Sequence, residues 1–452
     1  MNLYNVIFGL LTENIIILGI LIMMLFEMLR LNSKCSLSIT FLTLIAVVFS
    51  LCLSDSNPSY AAHYVNDKTT NILKACLVLL AFPCLVIWRS HFFNYKSQTL
   101  FLSAILGSFL MISAQSFLTL FIGLELLALP TYVLVFLGKQ NNNSSEAALK
   151  YLILGSCSSA IMLLSSIFLF QSTQQFSLLN MTQISFETTR SNEIFMMLFF
   201  IAFFFKTALV PFHQWAPDVY DGADLGITAY MSAFIKGAYL FALGKIFMSV
   251  ETSKLMLILC GVIPLISILW GNIAAIRQTS FPRLMAYSSI AHAAYIYYAF
   301  IGKTPERLSS IIFYVLSYGL IVIAIFGILN YLSEDLREIK NFQGLAKKHP
   351  WAATIISICL LSLAGLPPFP GFFAKFYIFK NVVAAGNTSL ATIAFLASFI
   401  GIYFYIRLIV LMYMSEKEEQ ITVHRPRVSL GVAVFSILLL IPGVWLTNLM
   451  MK

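Results

Sequence analysis

Apolar runs of about twenty residues, the length that crosses a bilayer as a helix, recur along the whole chain between short polar clusters. The runs are continuous rather than alternating. That pattern predicts membrane-spanning helices and argues against a transmembrane barrel, whose strands alternate between lipid-facing and lumen-facing residues. Fourteen spans are predicted, near 11–31, 37–54, 70–90, 98–114, 116–137, 146–170, 194–214, 226–248, 255–276, 284–302, 308–332, 351–384, 389–413 and 428–449. The fourth and fifth are separated only by the short gap at Ala114–Ser116. Met1–Thr12 holds no basic residue and no small-residue cleavage pattern follows it, so the first span is expected to be retained. The fold class read from this pattern is an all-α integral membrane protein.

Two spans are interrupted. Around 206–217 the chain reads Lys-Thr-Ala-Leu-Val-Pro-Phe-His-Gln-Trp-Ala-Pro, with Pro211 and Pro217 expected to interrupt the helical hydrogen bonds. Around 365–371 it reads Gly-Leu-Pro-Pro-Phe-Pro-Gly, with Pro367, Pro368 and Pro370. Proline inside a helix removes a backbone donor and clashes with the preceding turn. Within a membrane such a break survives where protein or water satisfies the freed groups, and interrupted spans in two halves of a chain point to a transport site. The breaks fall in the seventh and twelfth spans, five apart. If spans four to eight and nine to thirteen are repeats, an odd number of helices starts the second copy from the opposite membrane face. Two inverted five-helix repeats are therefore expected, with discontinuous helices seven and twelve. The corresponding segments are 1–97 (three N-terminal helices), 98–250 and 251–414 (the repeats) and 415–452 (a loop and the last helix).

Composition supports lipid as the main solvent. Of 452 residues, 60% are hydrophobic and only 10% charged, with 40 phenylalanines and a mean hydropathy of +0.88. Soluble domains are about a quarter charged. Of the 28 lysines and arginines, fifteen lie in alternate loops beginning after the first span and nine in the other set, in which Lys74, Lys245 and Arg307 are counted. Basic loops face the cytoplasm, so both termini are expected on the opposite side, which in a bacterial inner membrane is the periplasm. Four basic residues remain inside apolar runs: Lys206, Lys236, Lys375 and Arg407. Among the acids, Glu125 lies deep in the run Leu118–Phe136. The seven cysteines are scattered with no Cys-x-x-Cys pair, which argues against an iron–sulfur cluster, zinc site or disulfide framework. No glycine-rich phosphate loop is present, so no metal and no cofactor is expected on this chain, and nothing points to nucleic acid.

Charge inside a membrane is costly and marks function by default. Burial disfavours a charged lysine, while a nearby carboxylate favours it. A lysine held between those influences can be loaded and unloaded with a proton by small movements of its partner. Glu125 reads as such a partner, or else as half of a fixed structural ion pair. Lys206 lies one turn before the Pro211 break, Lys236 near the middle of the next span, and Lys375 just after the second break, where Lys380 also allows a helix end. His292 shares a helix face with Ser288 at i−4 and Tyr295 at i+3, either a polar stripe that orders water or an ordinary helix contact. Arg407, which does not release its proton, reads as an anchor. Asp218, Asp221 and Asp224 are explained by capping and a solvated loop.

Five stretches together carry a resemblance: Gly-Leu-Glu-Leu-Leu-Ala-Leu-Pro (123–130), Ser-Ser-Glu-Ala-Ala-Leu-Lys-Tyr (144–151), Val-Pro-Phe-His-Gln-Trp-Ala-Pro-Asp-Val-Tyr-Asp-Gly (210–222), Arg-Leu-Met-Ala-Tyr-Ser-Ser-Ile-Ala-His (283–292) and Leu-Ala-Gly-Leu-Pro-Pro (363–368). With them the chain resembles the subunit N family of proton-translocating NADH–quinone oxidoreductase, bacterial complex I, over nearly its whole length. The resemblance implies a fourteen-helix antiporter-like subunit. It also implies Glu125 as the modulating carboxylate, Lys206 as the pumping lysine, Lys236 as the relay and Lys375 as the exit. NADH, FMN, iron–sulfur clusters and quinone would then sit on partner subunits, and the partners would be other membrane subunits of the complex, both antiporter-like and small, in a bacterial inner membrane. One departure is visible: the family usually continues Asp-Gly with Ala-Pro-Thr-Pro, whereas Gly222 is followed by Ala-Asp-Leu-Gly. A subunit of a multi-subunit Na⁺/H⁺ antiporter, which shares the fold, and a structural scaffold with dispensable lysines remain the alternatives.

Overall fold

The computed structural model describes residues 9–31, 33, 35–53, 63–88, 94–138, 142–174, 176–178, 190–247, 255, 258–301, 306–332 and 334–414. Among the described residues regular structure is entirely helical, and nine helices are long and apolar enough to cross a membrane. The span expected at 428–449 lies outside the described residues. Those expected at 98–114 and 284–302 fall on Tyr95–Ile112 and Phe281–Tyr297, and that at 351–384 is divided in two; the helix expected over 194–214 stops at Thr207, and Pro217, expected as part of the break, lies in the first turn of the next helix, Trp215–Gly222, where a proline's missing N–H leaves no intrahelical bond unmade.

The described residues form two compact units, one from the stretches up to Phe82 and from Trp88 to Phe203, the other from Pro83–Ile87 and from Phe204 onwards. The first holds α1 (Leu11–Met28), α2 (Cys35–Leu53), α3 (Lys68–Ile87, up to Phe82), α4 (Tyr95–Ile112), α5 (Phe117–Leu137), α6 (Asn142–Thr173) and most of α7 (Arg190–Thr207). Local sequence sets several of the starts. Asp67 and Thr70 exchange side-chain-to-backbone hydrogen bonds of 2.7 and 2.8 Å at the start of α3, Asn94 accepts from Ser97 N before α4, and Ser116 accepts from Thr119 N before α5. α4 packs against α1 and α5, and α5 against α6. On α5 the exposed side chains Leu118, Ile122, Leu129, Val133 and Phe136 follow one helical face, while Leu124, Leu127, Ala128 and Thr131 on the other are buried. An apolar exposed stripe of this length is what lipid requires.

The second unit holds the end of α7, then α8 (Trp215–Gly222), α9 (Leu225–Tyr230), α10 (Lys236–Ile246), α11 (Ile263–Ile276), α12 (Phe281–Tyr297), α13 (Arg307–Leu332), α14 (Leu345–Lys348), α15 (Pro350–Ala364), α16 (Pro370–Ala384), α17 (Thr388–Ser398) and α18 (Ile400–Met414). A π-helical turn, Met231–Ile235, joins α9 and α10 into one run. That run and α13 are the most buried spans, and α13 is packed by α9, α10, α15 and α16. The two interruptions fall at 208–214, between α7 and α8, and at 365–369, between α15 and α16.

Candidate functional site

Each interruption frees backbone groups, and specific side chains take them up. After α7, Ala208 adopts the left-handed conformation (φ 62°), an arrangement that costs a residue with a Cβ about 1–2 kcal/mol. Leu209 N reaches back to Phe204 O, the Trp215 indole donates to Phe205 O at 2.8 Å, and Val210 N donates to the Ser267 hydroxyl at 3.0 Å. Lys206 is the penultimate residue of α7 and only 3% exposed, at the helix end where the backbone dipole favours a cation. Its neighbour Thr207 shares a hydrogen bond of 3.1 Å with the Tyr297 hydroxyl of α12.

The second interruption is held by a lysine. α15 ends at Gly365, in the left-handed conformation (φ 82°), and leaves carbonyls without helical donors. Lys375 of α16 reaches back across the break and donates to Leu363 O at 3.2 Å and Ala364 O at 3.0 Å. Gly371 N donates to the Ser362 hydroxyl at 3.0 Å, and a Cβ on Gly371 would stand 1.8 Å from Ser362 O, so only glycine fits there. Pro370 is the first residue of α16, a position where its missing N–H costs nothing; Pro367 and Pro368 lie in the interruption itself, as Pro211 does in the first.

Between these breaks lies a buried polar run, all within the second unit. Lys236 follows the π turn directly and donates to the Ser289 hydroxyl at 2.6 Å, with its nitrogen 5.6 Å from the centre of the Tyr220 ring. Ser289 in turn donates to Ala286 O. A cavity of about 10 Å³, room for about one water, is lined by Lys236, Ser289 and His292 together with Ser232 and Tyr318, which are themselves hydrogen-bonded at 2.9 Å. His292 then meets two tyrosines: Nδ1 lies 2.9 Å from the Tyr314 hydroxyl and Nε2 3.3 Å from that of Tyr405. Tyr405 is also bonded to Ser288 at 2.5 Å. Ser288 and His292 of the expected stripe on α12 are therefore tied together from α18, by a residue the sequence did not single out. The Tyr295 ring touches both neighbours, 5.8 Å from the His292 ring and 5.1 Å from the Lys375 nitrogen. Lys236, His292 and Lys375 are each 5% exposed or less.

Glu125 lies half-buried on α5 in the first unit, where its carboxylate accepts a hydrogen bond from Ser159 of α6. The expected pairing of Glu125 with Lys206 would bring together residues of different units. Arg407 is exposed on α18 and donates to Ile276 O at 3.0 Å, an anchoring contact. The solvated loop expected for the three aspartates is not found: Asp218 and Asp221 lie on α8, where Arg283 bridges them and Arg337 donates to the backbone carbonyls of Asp221 and Ala223, while Asp224 is buried and caps Gly226 N, as expected of a capping residue. Among the described residues no three His, Cys, Asp or Glu side chains converge as a metal site would need.

Two charges counted from the sequence among the loops prove to be buried. Lys74, fully enclosed on α3, is paired with Glu13 of α1 at 2.7 Å. Arg307, at the start of α13, is 2% exposed and donates to Phe247 O. Both lie within two turns of the end of an apolar run, where loop counting cannot tell a solvated charge from an enclosed one.

Residues 114–401, which contain all of these site residues from Glu125 to Lys375, match the family model described as NADH:quinone oxidoreductase/Mrp antiporter, TM. The chain is 32% identical over 426 residues to NADH-quinone oxidoreductase subunit N of Pelobacter propionicus, covering 93% of this chain and 91% of that one. It is 35% identical over 425 residues to subunit N of Cytophaga hutchinsonii, covering 90% and 91%. Among solved structures it is similar to a chain of respiratory complex I from Thermus thermophilus, at 28% identity, 96% coverage of both chains and a TM-score of 0.84. An archaeal membrane-bound sulfane sulfur reductase contains a chain of the same fold, with a TM-score of 0.86 at 21% identity and coverage of 98% and 95%. The chain belongs to the subunit N family of NADH-quinone oxidoreductase.

Proposed function

We propose that this chain is the proton-translocating membrane subunit of an NADH-quinone oxidoreductase in a bacterial inner membrane, moving protons while redox chemistry proceeds on partner subunits. Those partners, other membrane subunits and the carriers of FMN, iron–sulfur clusters and quinone, supply the energy as a change in charge or conformation. The observation that carries the reading is the buried run from Lys236 through Ser289 and His292 to Tyr295 and Lys375, in which titratable groups are linked by hydroxyls and ring contacts inside apolar helices. Charge at such depth is retained for ion movement rather than stability.

In this reading Glu125 modulates Lys206: drawing the carboxylate away releases the Lys206 proton towards Lys236. The proton then passes through the water-sized space beside Ser289 to His292, whose two nitrogens meet Tyr314 and Tyr405 and so can accept on one side and donate on the other. Lys375 is the exit. The chain would have fourteen spans with both termini periplasmic, divided as 1–97, 98–250, 251–414 and 415–452. The middle two segments would be inverted five-helix repeats whose seventh and twelfth helices are discontinuous. The similar make-up of the two breaks supports this, each flanked by helices and each with a buried lysine beside it. Membership of the subunit N family favours the oxidoreductase over a Na⁺/H⁺ antiporter subunit.

The test is Lys206→Ala in the assembled, reconstituted complex. Loss of proton pumping with electron transfer retained supports the carrier role of Lys206. Pumping per electron at the wild-type level removes it from the path.

A further inference from the structure

The proton path described above leaves out a buried ion pair in the first unit. Lys74 and Glu13 are 0% and 3% exposed, and their side chains meet at 2.7 Å. Lys74 Nζ also donates to the Tyr64 hydroxyl at 2.9 Å and lies 5.2 and 5.6 Å from the centres of the Tyr64 and Phe109 rings. The pair links α1 to α3, and Phe109 brings in α4, which packs against both α1 and the Glu125 helix α5.

Taking two charges out of water is repaid only when geometry is good and the remaining lone pairs and donor hydrogens are satisfied. On the lysine side they are: ammonium hydrogens reach a carboxylate and a hydroxyl, with two aromatic faces around them. On the glutamate side they are not. Oε1 accepts from Lys74, but Oε2 is buried and has no hydrogen-bond partner among the described residues. A tie that served only to fasten α1 to α3 would be cheaper as a fully bonded pair or as two apolar side chains. A carboxylate oxygen left open beside a fixed cation is instead an acceptor of defined position.

We propose that Glu13, set by Lys74 and Tyr64, is a second proton-holding site of this chain, in its N-terminal helices and separate from the run between Lys206 and Lys375. One proton from water binds at Oε2 and gives the neutral acid, with Lys74 keeping its own three. On release the proton leaves the same oxygen and the ion pair is restored. The titratable groups facing Glu13 across its helix contacts are Lys74 on α3 and Tyr64 in the segment before it; α4 contributes the uncharged Phe109 ring. The inference rests on the proton-translocating reading, and the two fail separately.

The experiment uses the assembled complex in proteoliposomes, with NADH oxidation and proton uptake measured together. The principal variant is the double change Glu13→Gln/Lys74→Met, which removes both charges at similar volume and strands neither. The expected result is a complex that assembles and transfers electrons while proton uptake per electron falls several-fold. Glu13→Gln alone gives the same loss. Redox-triggered infrared difference spectra of the wild type contain a protonated-carboxyl band that the double variant lacks. Wild-type pumping or an unchanged infrared spectrum in the double variant overturns the proposal, as does its failure to assemble, which would make the pair a structural tie. If Lys206→Ala abolishes pumping while these variants do not, only the present inference falls.

Discussion

Replacing Gly371 by alanine changes no titratable group, yet it acts on the place where Lys375 is held. The added Cβ would lie 1.8 Å from the Ser362 carbonyl oxygen. Since that oxygen is backbone, no side-chain rotation relieves the clash, and α16 must move from α15 by about 1.2 Å merely to reach the shortest separations such atoms show. The Lys375 contacts to Leu363 O and Ala364 O are already 3.2 and 3.0 Å, so a shift of that size along either breaks it. A hydrogen bond from a charged donor contributes about 1.5–3 kcal/mol. Losing one therefore weakens the hold on this side chain enough to slow a step that depends on it by about tenfold or more. Overpacking adds about 1–3 kcal/mol of strain to the break. Reconstituted complex carrying Gly371→Ala should retain NADH oxidation with an artificial acceptor and lose about tenfold in proton-pumping rate, read with a pH-sensitive dye inside the vesicles. Pumping indistinguishable from wild type would show that the position of Lys375 at the helix break has no part in the transfer.

Other changes follow from the same contacts. Lys236→Met removes the nitrogen proposed as the relay and should abolish pumping, whereas Ser289→Ala keeps the lysine but deletes its 2.6 Å partner and should slow pumping about tenfold, given about 1.5–3 kcal/mol for a charge-assisted bond; equal activity of both variants would contradict the run. Tyr405→Phe leaves Ser288 and His292 Nε2 without their shared hydroxyl, at about 1–3 kcal/mol for each stranded buried group, and should lower both pumping and the thermal stability of the complex. Trp215→Phe deletes the indole donor to Phe205 O at the first break and leaves that carbonyl only its 3.2 Å bond from Ala208 N. It should lower the inactivation temperature by the equivalent of about 0.5–1.5 kcal/mol, with wild-type thermal behaviour as the outcome against it.

Helices were legible from apolar runs, because in lipid the backbone leaves few other choices. The interruptions were legible because proline removes a donor wherever it stands. What satisfies them was not: Trp215, Ser267 and Ser362 carry no periodicity that distinguishes them from other polar residues of their helices. Lys206, Lys236 and Lys375 stood out because each has apolar sequence on both sides. Lys74 and Glu13 did not, since each lies near the start of its run with polar neighbours, and only the packing of α1 on α3 reveals that both are enclosed. The tyrosines of the run were hidden for another reason. Tyr314 and Tyr318 lie one turn apart on α13 and Tyr405 lies on α18, so their meeting at His292 is a property of helix packing, not of spacing along any one helix.

Lys375 has no carboxylate partner among its hydrogen bonds; its counter-charge is the end of α15, where aligned peptide dipoles amount to about half an elementary negative charge. An acidic side chain can be silenced by a proton, but a carbonyl terminus cannot. The negative end at this point is therefore invariant with acidity, and while Lys375 holds its proton the attraction varies only with distance. Any signal that governs Lys375 through α15 must be mechanical, a displacement of one helix against the other. The Glu125 carboxylate, by contrast, answers to protonation as well as to movement.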